Sequence, residues 1–212
     1  ADGFAESVGV PIQTSDFRSY RPQWTDTVRV SVGNHELHLP SGPDGTDGAA
    51  LWTRLAASAP GAPALPEEAR RADSAGFAAL DRLGGVAACT VGANGAFGLG
   101  RVIGDTGILA AGPSRTDRFP GVPMIVVNRP RSDGLGAVTA SGGAGALARA
   151  VSAGVAAFTR DTPPSAALSQ AIGAPQGRAN VIRCPQGIKV EAEDCRYAVD
   201  PGGYGLAVGA VP

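Results

Sequence analysis

DSAGFAALDRLGGVAACTVGANGAFGLGRVIGDTGILAA, residues 73–111, reads as two strands joined by a turn and running into a glycine-rich loop. Phe77, Ala79 and Leu80 precede the polar pair Asp81-Arg82, and Leu83-Gly84-Gly85 supplies residues that accept positive φ. FAALD and GVAACTV are therefore expected to form a hairpin with a loop of a few residues. Ser74 is a single hydroxyl just ahead of the first strand. After the second strand, Gly92, Gly95, Gly98 and Gly100 surround Asn94. Chain this rich in glycine either turns sharply or lets its backbone come close to something.

Upstream of this stretch, TSDF offers Thr14 or Ser15 as the cap of a short helical turn that Tyr20-Arg21-Pro22 ends. Val28, Val30 and Val32 alternate with polar residues, and so do His35, Leu37 and Leu39 beyond the turn Gly33-Asn34, which predicts a second hairpin. His35 and His38 stand three apart on extended chain, so they face opposite ways, and HELH lacks the helical spacing of a zinc-protease motif. No metal site is expected. SGPDGTDG (41–48) reads as a loop, GAALWTRLAASA behind it as a helix with Leu51, Trp52 and Leu55 on one side, and 59–73 as a Pro- and Ala-rich linker.

Downstream, MIVVN and LGAVTAS are strand-like, Gly142 and Gly143 open an Ala-rich helix over 144–158, and Thr162-Pro163-Pro164 starts the short helix SAALSQAI. RANVIRC, GIKVE, RYAV and YGLAVG read as strands separated by Gly, Pro and Asp. Hairpins on either side of short helices predict an α+β sheet protein.

Composition narrows the function. With 43% hydrophobic residues and a formal net charge of −1 over 212 residues, the chain has enough apolar content for a buried core and no basic footprint for nucleic acid or an anionic membrane. Lys189 is the only lysine. The nearest thing to a continuous apolar run, Ala144 to Phe158, is interrupted by Arg149 and Ser152, so no transmembrane helix is expected. Cys184 and Cys195 bracket CPQGIKVEAEDC, a loop able to close as a disulfide, which favours an oxidising, periplasmic or otherwise extracytoplasmic compartment of a bacterial cell. Cys89, inside GVAACTV, is expected to be a buried free thiol acting as a small hydrophobe.

The run G-V-A-A-C-T-V-x-x-N-x-x-F-G-x-G-R-V-I-G-D-T-G-I-L, read with FAALD before it, resembles the start of the small subunit of gamma-glutamyltransferases, which are N-terminal-nucleophile hydrolases. TSDFRSYRPQW (14–24) resembles the end of the large subunit, PMIVVN followed by TASGGAGA the oxyanion segment, and DPGGYGLAVG the carboxyl-terminal strand. The resemblance implies an αββα sandwich, reduced in size. Residues 1–73 correspond in it to the end of the large subunit and the linker, and 74–212 to a shortened small subunit, the two packed as one domain. It implies no cofactor. Ser74 falls where the family has a nucleophilic Thr freed by self-cleavage, Gly142 and Gly143 would supply oxyanion-hole amides, and Asn94 and Thr90 would bind substrate.

The departures from the family are concentrated in donor binding. Ala110-Ala111-Gly112-Pro113-Ser114-Arg115 replaces an acidic, amide-rich segment, and Phe119-Pro120-Gly121 replaces the paired serines that hold the α-carboxylate. The resemblance therefore implies a gamma-glutamyltransferase-like protein that has lost its glutamyl pocket and acts as a non-catalytic component. The alternative is a divergent amidohydrolase or transferase using Ser74 after cleavage. A chain matching so little of the large subunit is also expected to leave an apolar face for another protein chain to cover. Its expected contact regions are the helix bearing Trp52 and Leu55 and the Phe119-Pro120-Gly121 segment.

Overall fold

A computed structural model describes residues 14–58, 74–95, 97–103, 105, 107–112, 121–142, 145–172 and 177–209. The linker over 59–73, Gly143, and the Phe119-Pro120 pair lie outside the described residues.

The architecture is built on one strand, β6 (Asp133–Gly142), whose ten residues are all buried. Burial on both faces is possible because DGLGAVTASG is almost entirely small and holds three glycines. β6 is central in a six-stranded antiparallel sheet that also contains β1 (Val28–Val32), β2 (His35–Leu39), β5 (Pro123–Asn128), β7 (Gly177–Arg183) and β8 (Arg196–Val199). The strand order is β1-β2-β5-β6-β7-β8. The hairpin expected around Gly33-Asn34 is present with Val32 opposite His35.

Helices α2 (Pro43–Ala57) and α3 (Ala146–Thr159) cover one face, with the short α4 (Pro164–Ser169) beside them; α1 is the turn Thr14–Ser19. Trp52 and Leu55 are 1% and 6% exposed and belong to the core between α2, α3 and the sheet. The expectation that they mark a contact face for another chain is therefore wrong: their apolar stripe is used internally. Trp52 lies against Gly154, where a Cβ would come within 2.5 Å of the indole ring, so the internal glycine of α3 makes room for it. α2 also begins earlier than its sequence suggests. Pro43 sits in its first turn, and Gly45 and Gly48 let the helix fold back over the end of β2, where a Cβ at Gly45 would collide with the Pro40 carbonyl.

The other face carries the second sheet, the hairpin of β3 (Ser74–Leu80) and β4 (Val86–Gly92), as the opening stretch of sequence predicts. Ser74 is the first residue of β3, not a residue ahead of it. Gly76 lies so close to β6 that a Cβ would approach Thr139 Oγ1 to 2.7 Å. A bulge sets this interface up. Val126 pairs with Gly136 and Val127 with Gly134, so Leu135 is the extra residue. Leu135 joins the core under the helices, while Gly134 meets the hairpin at Val86. The result is an α+β arrangement of two stacked sheets with helices on one side.

Two expected strands do not form. GIKVE folds into turns beneath Asp133, with Gly187 at φ 94°, and the Cys184–Cys195 disulfide closes the excursion over a Cα separation of 4.1 Å. YGLAVG reverses after β8 through a turn at Asp200–Gly203 and carries no strand ladder. That turn is held by a buried ion pair. The Asp200 carboxylate accepts from Arg149 of α3 and from the N–H groups of Ala179 and Gly202. Arg149 also donates to the Leu168 and Ala171 carbonyls at the end of α4.

Burial alone would raise the Asp200 pKa, but the Arg149 hydrogen bond, followed by the Gly202 N–H, outweighs it and holds the group below its ordinary value. A depressed folded-state pKa contributes stability that is present above the unfolded carboxylate value, about 4, and is lost as pH falls through the folded one. Urea titrations from pH 7 to pH 2 should show an acid limb that is reduced in Asp200→Asn. Arg149→Met, which strands the carboxylate, should cost about 3–5 kcal/mol at pH 7. An acid limb unchanged in Asp200→Asn would show that this carboxylate does not contribute to it.

Candidate functional site

The hairpin's inward positions are Ser74, Gly76, Ala78 and Leu80 on β3 and Gly92, Thr90, Ala88 and Val86 opposite them. This alternation carries Ser74 and Thr90 to the end of β6, where Gly142 is the last strand residue. The Gly142 N–H donates to Ser74 Oγ at 3.0 Å, so the expected nucleophile and one expected oxyanion donor are brought together. Gly142 has φ 87°, a conformation in which a side chain would be strained. Gly143, the expected second donor, lies outside the described residues.

Thr90 Oγ1 donates to the Ala140 carbonyl at 3.3 Å, next to Gly121, whose own Cβ position is filled by that carbonyl and the Thr90 methyl. Gly121 is buried, so this end of the Phe119-Pro120-Gly121 segment is not an exposed contact. Asn94, at φ 55°, donates from Nδ2 to the Gly112 carbonyl at 2.8 Å, and Gly112 N–H returns a bond to Ala93 O at 2.7 Å. These two bonds close the loop between β4 and β5. Within it Val102 and Leu109 form an antiparallel bridge, and Gly98 lies against the Ala110 carbonyl with no space for a Cβ. The close approach that the glycine density predicted is thus made by the loop to itself.

Two residues at this site were missed by sequence reasoning, and both stand on β7. Asn180 donates from Nδ2 to the Gly76 carbonyl at 2.9 Å and lies 3.4 Å from Thr139 Oγ1, which joins hairpin to sheet in mid-strand. Arg178 pairs with Ser141, and its side chain lies along the Gly202-Gly203 turn. It brings a cation to the end of β6 that holds Ser74. The available signal was the alternation in RANVIRC, where 178 and 180 share the face opposite the buried Ala179 and Val181.

The histidines stand elsewhere. His38 is two strands from β6, with Nδ1 2.8 Å from Thr27 Oγ1 and Nε2 2.8 Å from Glu36. His35 has a buried Nδ1 with no partner among the described residues, and burial first, then Arg131, holds its pKa below the ordinary value. Cys89 is free but only half-buried, and it faces outward from the hairpin opposite Phe77. It is not the buried core thiol expected, because the face it occupies is the bare one. Among the described residues no three His, Cys, Asp or Glu side chains gather to hold a metal ion.

Chemically, the arrangement brings the Ser74 hydroxyl to accept the Gly142 N–H. In the uncut chain the Ser74 nitrogen is a peptide amide and cannot act as a base. No protein-family model matches this chain, and no curated protein is similar to it.

The close approach of Gly76 to Thr139 makes the docking of the hairpin testable. Gly76→Ala should push β3 off β6 and lower stability by about 1–3 kcal/mol in urea denaturation, with little change in far-UV circular dichroism. An unchanged midpoint would mean that the hairpin does not sit this close to the sheet.

Proposed function

We propose that this is a gamma-glutamyltransferase-like protein on a reduced N-terminal-nucleophile-hydrolase fold. It has lost gamma-glutamyl donor binding and acts as a non-catalytic structural or binding component of an extracytoplasmic, periplasmic assembly. The observation that carries the proposal is that the polar groups assigned to substrate already have partners inside the chain. The Asn94 amide bonds to Gly112, the Thr90 hydroxyl to Ala140, and the Gly142 N–H to Ser74. A ligand would have to replace these bonds, each worth about 0.5–1.5 kcal/mol net, with better ones.

Two further features support it. The outward face of the hairpin is apolar and bare, as a surface that docks on protein would be. The disulfide fits an oxidising compartment, and among the described residues no helix is long and apolar enough to cross a membrane.

The second reading, an amidohydrolase or transferase using Ser74, is favoured by the 3.0 Å approach of Gly142 N–H to Ser74 Oγ. It requires cutting of the Asp73-Ser74 bond, so that the freed α-amine takes the hydroxyl proton as Oγ attacks the donor carbonyl.

Denaturing mass spectrometry should find the chain uncut between Asp73 and Ser74, and a chromogenic gamma-glutamyl anilide should not be turned over. Fragments meeting at that bond, with turnover abolished in Ser74→Ala, would overturn the non-catalytic proposal in favour of the second.

A further inference from the structure

The hairpin is tied to the main sheet unevenly. The bonds from Ser74 to Gly142, from Thr90 to Ala140 and from Gly76 to Asn180 all fall in its open half. At the turn end, among the described residues, one backbone bond crosses to β6, from Gly134 N–H to the Gly84 carbonyl at 3.1 Å. The side chain lying over that turn comes from elsewhere in the chain. Lys189, the only lysine, lays Cδ and Cε across Gly84, where a Cβ would collide with them, and its Nζ donates to the Ser132 carbonyl at 2.6 Å.

Lys189 belongs to the excursion between Cys184 and Cys195, and the backbone there is placed by long bonds. Its N–H is shared between the two oxygens of buried Asp133 at 3.3 Å each, Ile188 N–H reaches the Gly134 carbonyl at 3.2 Å, and Arg131 reaches the Gln186 carbonyl at 3.5 Å. Contacts at the long end of the hydrogen-bond range are poor recompense for ordering an irregular loop. The disulfide, joining cysteines 11 residues apart, removes most of the conformations that the loop would otherwise sample. The Asp133 carboxylate touches both parts: Oδ1 lies 3.1 Å from where a Cβ on Gly84 would stand, and Oδ2 fills the place of a Cβ on Gly187. Disulfide loop, β6 and hairpin turn therefore meet at one buried carboxylate, with Lys189 as the strap across them.

We propose that closure of the Cys184–Cys195 disulfide is coupled to docking of the hairpin turn on β6, so that the hairpin locks at both ends only once the two thiols are oxidised. The oxidant is a disulfide of the dithiol–disulfide exchange class. One cysteine thiolate attacks a sulfur of that disulfide and expels a thiolate. The second cysteine thiolate then attacks the mixed disulfide, forming the Cys184–Cys195 bond and expelling the other; two electrons pass to the oxidant, which leaves as a dithiol. The coupling does not depend on the role given to Ser74, which stands at the other end of the hairpin. In an oxidising compartment it makes full docking of the hairpin wait on oxidation.

Amide exchange at Gly134 and Gly142, read by NMR with the disulfide closed and after reduction by dithiothreitol, tests the coupling, with circular dichroism reporting whether the reduced chain stays folded. Gly134 is expected to exchange about 10-fold or more faster on reduction, while Gly142 changes by less than about 2-fold. Lys189→Ala, with the disulfide still closed, should also accelerate exchange at Gly134, and this variant alone decides the matter where the reduced chain unfolds. Exchange at Gly134 that is unchanged in either experiment overturns the proposal. Equal acceleration of both amides in a folded chain overturns it as well, because that is general loosening and not release of a strap at the turn.

Discussion

Two backbone amides of β6 fix the second sheet in place. Gly134 N–H, at one end of the strand, donates to the Gly84 carbonyl in the hairpin turn, and Gly142 N–H, at the other, donates to Ser74 Oγ at the hairpin's open end. Between them Thr90 reaches the Ala140 carbonyl and Asn180 reaches Gly76. A two-stranded hairpin is marginal on its own, so it depends on this set of bonds and on the small residues that let it lie flat against β6. The bulge at Leu135 is part of the same solution. It turns Gly134 toward the hairpin while giving a large side chain to the helical core.

The proposed non-catalytic role follows from where those bonds fall. The hydroxyls and amides that a gamma-glutamyltransferase-like site would turn toward substrate are the groups that tie hairpin to sheet and loop to loop. With the inward side of the hairpin committed in this way, its outward side is left with Phe77, Val91 and small apolar residues. A sheet face of that kind gains more from being covered by protein than from water. Arg149 and Asp200 serve the same end from the other side of the main sheet. They hold the turn that sends the segment bearing Tyr204, Leu206 and Val208 back over β8.

The legible parts of the sequence were those where a two-residue period met a glycine turn. The hairpins at Gly33-Asn34 and at Leu83-Gly84-Gly85 are in place, as are β5, β6, β7 and β8 and the disulfide. Tertiary packing decided the rest. The Trp52 stripe looked like a contact face because nothing local says that α3 offers Gly154 to receive the ring. GIKVE has strand composition, yet the short span between two bonded cysteines and the buried Asp133 packed against Gly187 forces it into turns. The resemblance singled out Ser74, Thr90 and Gly142, and the structure places these three together at one end of β6. Asn180 and Arg178 were not singled out, because their role depends on which face of β7 the hairpin covers.

Amide hydrogen exchange at Gly142 and Gly134, followed by NMR, tests the central claim that the Ser74 hydroxyl is a structural acceptor in this docking. Slow exchange at both amides is predicted, with Gly142 alone becoming fast in Ser74→Ala while Gly134 stays protected. Fast exchange at Gly142 in the unaltered chain, or protection there that survives loss of the Ser74 hydroxyl, would contradict it.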